Sequence, residues 1–257
     1  MRVRAKKRLG QHFLHDPAVI RKIVDAIAPE RGERVVEIGG GPGALTRPLV
    51  ERLDRLHVVE VDRELAAELP DRVAHPERLV VHHADALEFD FRSLADGPRS
   101  LRVVGNLPYN ISTPLLFHLL EQADAIRDLH VMLQREVVER MTARPGGKDY
   151  GRLTVMLAVA AESRALFDVG PGAFTPPPRV WSTVVRVVPR APDFAVADRA
   201  RFAELVAHLF SMRRKTLGRS LKGRLTPERI AALGLDPRAR PETLSPADFA
   251  RLAAAEK

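Results

Sequence analysis

Arg34-Val35-Val36-Glu37-Ile38-Gly39-Gly40-Gly41-Pro42-Gly43 sets a short, valine-rich run directly against a glycine loop. The run has the length and residue types of a buried strand. The loop lets backbone approach a ligand closely at the N-terminus of the helix expected through Leu45, Leu49, Val50 and Leu53. The next strand, expected over 56–61, brings Glu60 near its C-terminal end. That is about 20 residues past the loop, where a carboxylate can bond both hydroxyls of a ribose. Strand, glycine loop, helix, strand and acid together describe an α/β domain that holds a nucleoside-bearing cofactor. They do not choose the cofactor: Gly39, Gly41 and Ala44 also satisfy the G-x-G-x-x-A fingerprint, which a nicotinamide dehydrogenase shares.

Further along, a strand near 79–83 leads to Asp85, which can accept from an adenine amino group or serve a turn. A fourth strand, 101–105, runs into Asn106-Leu107-Pro108-Tyr109-Asn110. Those are the only asparagines in the chain, and Tyr109 is one of two tyrosines. Turn chemistry explains part of this pentapeptide. A sharper explanation is that the Asn106 carboxamide and the Leu107 carbonyl, both acceptors, cradle a planar amino group such as that of adenine, under the Tyr109 ring. Thr113 then caps and Pro114 starts a helix over 115–120, and a fifth strand covers 129–133. A helix begins near Arg135, and 143–150 is a loop tip. A buried helix over 151–161 and strands at 164–169 and 182–188 follow. Between those strands a proline-rich loop offers Phe174, either as a piece of core or as a stacking platform.

Upstream, Asp16 and Pro17 start a helix that buries Ile20, Ile23, Val24 and Ile27. Before it, Arg2, Arg4, Lys6, Lys7 and Arg8 form a basic arm, solvated or laid on phosphate. Downstream the composition changes: 191–197 resembles a linker, and 199–224 carries eight basic residues against the single acid Glu204. A stripe of Phe202, Leu205, Val206, Leu209 and Phe210, with helices near 228–233 and 246–254, makes this end all-helical. Two domains are expected, 1–189 with its arm and 190–257, the latter with Arg213, Arg214, Lys215, Arg219 and Lys222 as candidate contacts to a polyanion, which the resemblance given below makes RNA.

The 257 residues can bury a sizeable core, and a net charge of +8 with a pI near 10.4 favours a polyanionic partner. The absence of cysteine excludes disulfides, thiolate metal sites and cysteine nucleophiles, and no metal is expected. No run approaches the roughly 20 apolar residues of a membrane span. No apolar segment follows the basic N-terminus as a secretory signal requires, so a cytoplasmic protein is expected.

Eight motifs in order resemble the bacterial small-subunit ribosomal RNA adenine dimethyltransferases, the KsgA or RsmA family. They are LGQHFL (9–14), VEIGGGPGALT (36–46), VEVD (59–62), ADAL (84–87), GNLPYNISTPLLF (105–117), YGRLTVM (150–156), FTPPPRV (174–180) and RRKTL (213–217). The resemblance implies a seven-stranded Rossmann-like methyltransferase sheet, a helical C-terminal domain, and S-adenosyl-L-methionine as methyl donor. It assigns His12, Leu14, Gly39, Glu60, Asp85 and Asn106 to that cofactor, with Gly41 in the same loop. Asn106, Leu107, Tyr109 and Phe174 would receive the base. His12 stands where many relatives carry Asn. The implied activity is dimethylation at N6 of two adjacent adenosines in a 3′-terminal hairpin loop of 16S rRNA, during small-subunit biogenesis. The substrate would be the small subunit or its precursor, met by a monomer. Rivals are a large-subunit RNA adenine methyltransferase, a DNA adenine methyltransferase and a non-catalytic assembly or transcription factor. The full GNLPYNISTP run and the RRKTL tail favour the small-subunit enzyme.

Overall fold

The computed structural model describes residue 6 and residues 9–256, so Arg2, Arg4, Lys7 and Arg8 of the expected arm lie outside the described residues. Lys6, the basic residue of that arm that is described, is ion-paired within the protein. Its ammonium lies 2.8 Å from Asp62 and 2.9 Å from Glu64, acids far away in sequence that the arm's own composition could not reveal.

The chain divides into two compact units, residues 1–138 with 164–189, and residues 139–163 with 190–257. In the first, β1 (Phe13–Leu14) precedes α1 (Pro17–Ile27). Asp16 caps α1 by accepting from the N–H groups of Ala18 and Val19, and α1 buries Ile23, Val24 and Ile27. There follow β2 (Arg34–Ile38), α2 (Thr46–Arg52), β3 (Leu56–Glu60), α3 (Arg63–Glu68), β4 (Leu79–His83), β5 (Leu101–Asn106), α4 (Ser112–Glu121), β6 (Ile126–Gln134) and α5 (Arg135–Met141). Helix α4 departs from expectation. It starts at Ser112 with Ile111 as its N-cap and no side-chain cap, rather than at a Thr113 cap. Pro114 fits because the first-turn N–H groups have no intrahelical partner.

Beyond α6 (Arg152–Ala158) come β7 (Ala161–Val169), β8 (Phe174–Thr175) and β9 (Ser182–Pro189). The main sheet has seven strands in the order β4-β3-β2-β5-β6-β9-β7. Strands β4 to β6 are mutually parallel, and β9 is antiparallel to β6. The parallel strands are Val- and Leu-rich with most residues buried, as sheets covered on both faces require. Chain order runs outward from β2 to β4, then returns to β5 on the other side of β2. The carboxyl ends of β2 and β5 therefore flank a topological switch point, where open α/β sheets bind ligands. Outside the main sheet, β1 pairs antiparallel with β8, Leu14 opposite Phe174, which ties the N-terminal segment to the proline-rich loop.

The second unit is helical: α6, α7 (Arg199–Ser211), α8 (Leu217–Ser220), α9 (Pro227–Ala232) and α10 (Pro246–Ala255). Asp198, Thr226 and Ser245 cap α7, α9 and α10. Its core joins Phe202, Leu205, Val206, Leu209 and Phe249 to Tyr150, Val155 and Val159. The buried Tyr150 hydroxyl donates to the Leu244 carbonyl at 2.7 Å. The division at 189/190 is thus accompanied by two more, at 138/139 and 163/164, because residues 139–163 pack with the helical unit through contacts remote in sequence.

Candidate active site

Four loops meet at the carboxyl ends of β2, β3, β4 and β5, all within the first unit. In the turn after β2, Gly39 has φ of 75° and Gly41 of 53°, conformations that L side chains rarely adopt. A Cβ at Gly39 would make van der Waals contact with the Asn106 carbonyl at 3.9 Å. Glu60, at the end of β3 and 4% exposed, accepts from the Gly41 N–H and the Asp62 N–H, each at 2.9 Å. Burial pushes its pKa up, and those two backbone donors oppose the rise. A carboxylate has about four acceptor sites, so two remain for hydroxyls. Asp85 lies exposed beyond β4, its carboxylate accepting from the Leu87 N–H at 2.9 Å.

Asn106 ends β5, and its Nδ2 donates to the His12 carbonyl at 2.9 Å. A carbonyl only accepts, which fixes the amide orientation and leaves Oδ1 as the free acceptor face. The Leu107 N–H donates to Met132 O at 3.2 Å and its side chain is 1% exposed, so the backbone that presents its carbonyl is anchored on both counts. Tyr109 shares a 2.6 Å hydrogen bond with Ser182 Oγ, and burial raises its pKa. The His12 ring stacks on Tyr109 with centroids 5.5 Å apart at 25°. The His12 Nδ1–H donates to Pro176 O at 2.7 Å, which sets its tautomer.

Two adjoining cavities open at this end of the sheet. Gln11, Gly39, Glu60 and Pro108 line both; His12, Gly41, Asn106, Leu107 and Tyr109 line one, and Asp85 the other.

Two expected site residues are not brought into these cavities. Phe174 is 2% exposed and Leu14 is 4% exposed; both belong to the apolar core, because the β1–β8 ladder turns them inward together. The choice left open for Phe174 falls to the core in this structure, and its ring offers no stacking face. Among the basic candidates of the helical unit, Arg213 is held by Glu242 at 2.6 Å and by the Lys148 carbonyl at 2.9 Å. Arg214, Lys215, Arg219 and Lys222 are exposed and, among the described residues, have no ion-pair partner. Sequence reasoning passed over Gln11, which bridges the two cavities and donates to Asp62 at 3.2 Å, and Ser182, the partner of Tyr109. The clue for Gln11 was its place inside LGQHFL; Ser182 gave none.

A glycine turn with a ribose-competent acid beside it, and amide acceptors one strand away, suits transfer from a nucleoside-bearing donor to a nitrogen. Rossmann-like methyltransferases form the class built that way. A family model described as ribosomal RNA adenine dimethylase matches residues 2–256, and the chain belongs to that family. Its relatives include ribosomal RNA small subunit methyltransferase A of Acinetobacter baylyi, 56% identical over 97% of this chain and 91% of the relative. The protein of that name from Nitrosococcus oceani is 54% identical over 97% and 95%. Among solved structures, a dimethyladenosine transferase from Plasmodium falciparum superposes with a TM-score of 0.77 at 25% identity, covering 94% of this chain and 96% of that one. The 23S rRNA methyltransferase ErmE gives 0.73 at 28%, covering 95% and 99%. The chain is an adenine dimethyltransferase that uses S-adenosylmethionine.

Proposed function

We propose that the acceptors at the end of β5, Asn106 Oδ1 and the Leu107 carbonyl, take the two hydrogens of an adenine N6 amino group. The observation that carries this is the Asn106–His12 bond, which turns the amide oxygen outward at the switch point. An adenine amino lone pair is delocalised into its ring. Accepting both hydrogens favours a pyramidal nitrogen and aims the lone pair, which is catalysis by positioning and electrostatics. Tyr109, locked by Ser182, offers an aromatic wall to a base drawn out of its stack.

The residues at the switch point fit S-adenosylmethionine. Glu60 retains acceptor sites for ribose hydroxyls, Gly39 lines both cavities, and Asp85 lines one of them, where it can meet an adenine amino group. When bound, that donor supplies a methyl made electrophilic by its sulfonium. The nitrogen becomes acidic as it gains the methyl, so its proton leaves to water without a strong base in the protein.

The substrate is 16S rRNA in the small subunit or its precursor, at two adjacent adenosines, each dimethylated. Support comes from identities of 56% and 54%, over 97% of the chain, to relatives named as small-subunit methyltransferases. Arg214, Lys215, Arg219 and Lys222 give the helical unit a cationic face for RNA phosphates. No helix among the described residues is long and apolar enough to cross a membrane. The enzyme acts as a cytoplasmic monomer in this account.

Asn106→Ala tests it. Labelled methyl transfer to unmethylated small subunits, measured with S-adenosylmethionine saturating, should fall roughly 100- to 1,000-fold, the usual loss for one aimed hydrogen-bonding group. Near-normal transfer would remove Asn106 from the mechanism.

A further inference from the structure

The Tyr109 side chain is held at both of its ends, by its own backbone and by the 2.6 Å hydrogen bond that its hydroxyl shares with Ser182 Oγ. Both attachments lie on the axis from Cβ to the hydroxyl, and about that axis an aromatic ring turns in a broad well. A stacking wall needs its plane set as well as its ends, because a base lies flat on it. Among the described residues, His12 is the one ring stacked on Tyr109, with centroids 5.5 Å apart at 25°. The His12 ring is held in turn, its Nδ1–H donating to the Pro176 carbonyl at 2.7 Å.

His12 lines the cavity that Asn106, Leu107 and Tyr109 line, and not the one that Asp85 lines. Its main-chain carbonyl accepts from Asn106 Nδ2 at 2.9 Å, so one residue fixes both the amide that receives the amino group and the ring beside it. The resemblance assigns His12 to the cofactor. Its ring meets Tyr109 and Pro176, neither of which the resemblance gives to the cofactor. We propose that His12 is a positioning residue for the acceptor base: its imidazole covers one face of Tyr109 and sets the plane on whose other face the target adenine stacks. This rests on the assignment of Asn106, Leu107 and Tyr109 to RNA adenine, and adds to it a residue that acts through Tyr109.

A double-mutant cycle tests it, on unmethylated small subunits with S-adenosylmethionine saturating. His12→Ala should lower kcat/KM roughly two- to tenfold, the range for one stacked aromatic pair, with S-adenosylhomocysteine affinity unchanged. In a Tyr109→Ala background the same substitution should cost nothing further, since no ring is left to orient. His12→Phe keeps a ring and gives up the bond to Pro176, and should recover most of the loss. His12→Asn is polar without a ring, and should behave as alanine does. Equal losses with and without Tyr109 would overturn the proposal. So would recovery by asparagine or weakened S-adenosylhomocysteine binding, either of which would return His12 to the cofactor. An unchanged kcat/KM in His12→Ala would overturn it too, and so would a raised one, which would put the imidazole in the base's own place. Failure of the underlying assignment shows differently, as wild-type enzyme placing no methyl on RNA adenine, or as Tyr109→Ala alone transferring methyl at the wild-type rate, and would take this proposal with it.

Discussion

Glu37 lies in β2 with 2% of its surface exposed, and Thr46 Oγ1 donates to its Oε2 at 2.7 Å. Burial pushes its pKa from an ordinary 4.5 up to about 8; the Thr46 bond opposes the rise and the charge of Glu60 adds to it. At neutral pH the native protein therefore keeps a proton that the unfolded chain has released. Such a group stabilises the fold fully below its unfolded pKa and loses that contribution as pH rises through the folded one. The window runs from 4.5 to about 8. At about 1.36 kcal/mol per pH unit, the gap amounts to as much as about 5 kcal/mol. Glu37→Gln keeps an oxygen for Thr46 and cannot ionise. Denaturant unfolding across the window should show wild type losing up to about 5 kcal/mol that the variant does not lose. In Tm this is roughly 10–20 °C, at about 2–4 °C per kcal/mol for a chain of this size. Stability curves for the two proteins that run parallel across the window would refute a protonated Glu37.

Replacing Arg214, Lys215, Arg219 and Lys222 with Ala should reduce the slope of log RNA affinity against log salt by about 3, since each phosphate contact contributes about 0.7 to 0.9. An unaltered slope would place the RNA elsewhere. Arg213→Ala, by contrast, breaks the pairing with Glu242 and should lower the melting temperature more than the salt slope. Arg102 is buried at the other end of β5, 3.0 Å from Asp128 and 2.8 Å from Glu33, and donates to the Ile27 carbonyl at 2.8 Å. Arg102→Met leaves a buried carboxylate short of its partner and should cost about 3–5 kcal/mol by denaturant unfolding, with residual native enzyme still active.

The positions of Gly39, Glu60, Asp85 and Asn106 at strand ends could be read from short-range pattern. Each strand from β2 to β5 is short and rich in branched residues, and its chemistry stands at its carboxyl end, so Gly39, Glu60, Asp85 and Asn106 were placed by local rules alone. What escaped depended on partners far along the chain. Phe174 and Leu14 look equally able to face a ligand or a core until β1 pairs with β8. Lys6 reads as a free cation until Asp62 comes beside it, and Arg213 until Glu242 does. Residues 139–163 join the helical unit through contacts such as Tyr150 to Leu244, which no periodicity announces. The capping of α4 misled for another reason. Thr113 and Pro114 make a plausible helix start, but a proline is also tolerated two positions past its preferred first one, still within the first turn.

Methyl transfer to an amino nitrogen requires donor and amide acceptors to stand side by side, and a crystal structure with S-adenosylhomocysteine measures that directly. The ribose hydroxyls should lie on Glu60, the adenine near Asp85, and the sulfur should face Asn106 Oδ1 with the Asn106–His12 bond intact. A ligand seated away from the carboxyl ends of β2 and β5, or an Asn106 amide turned from it, would contradict the account.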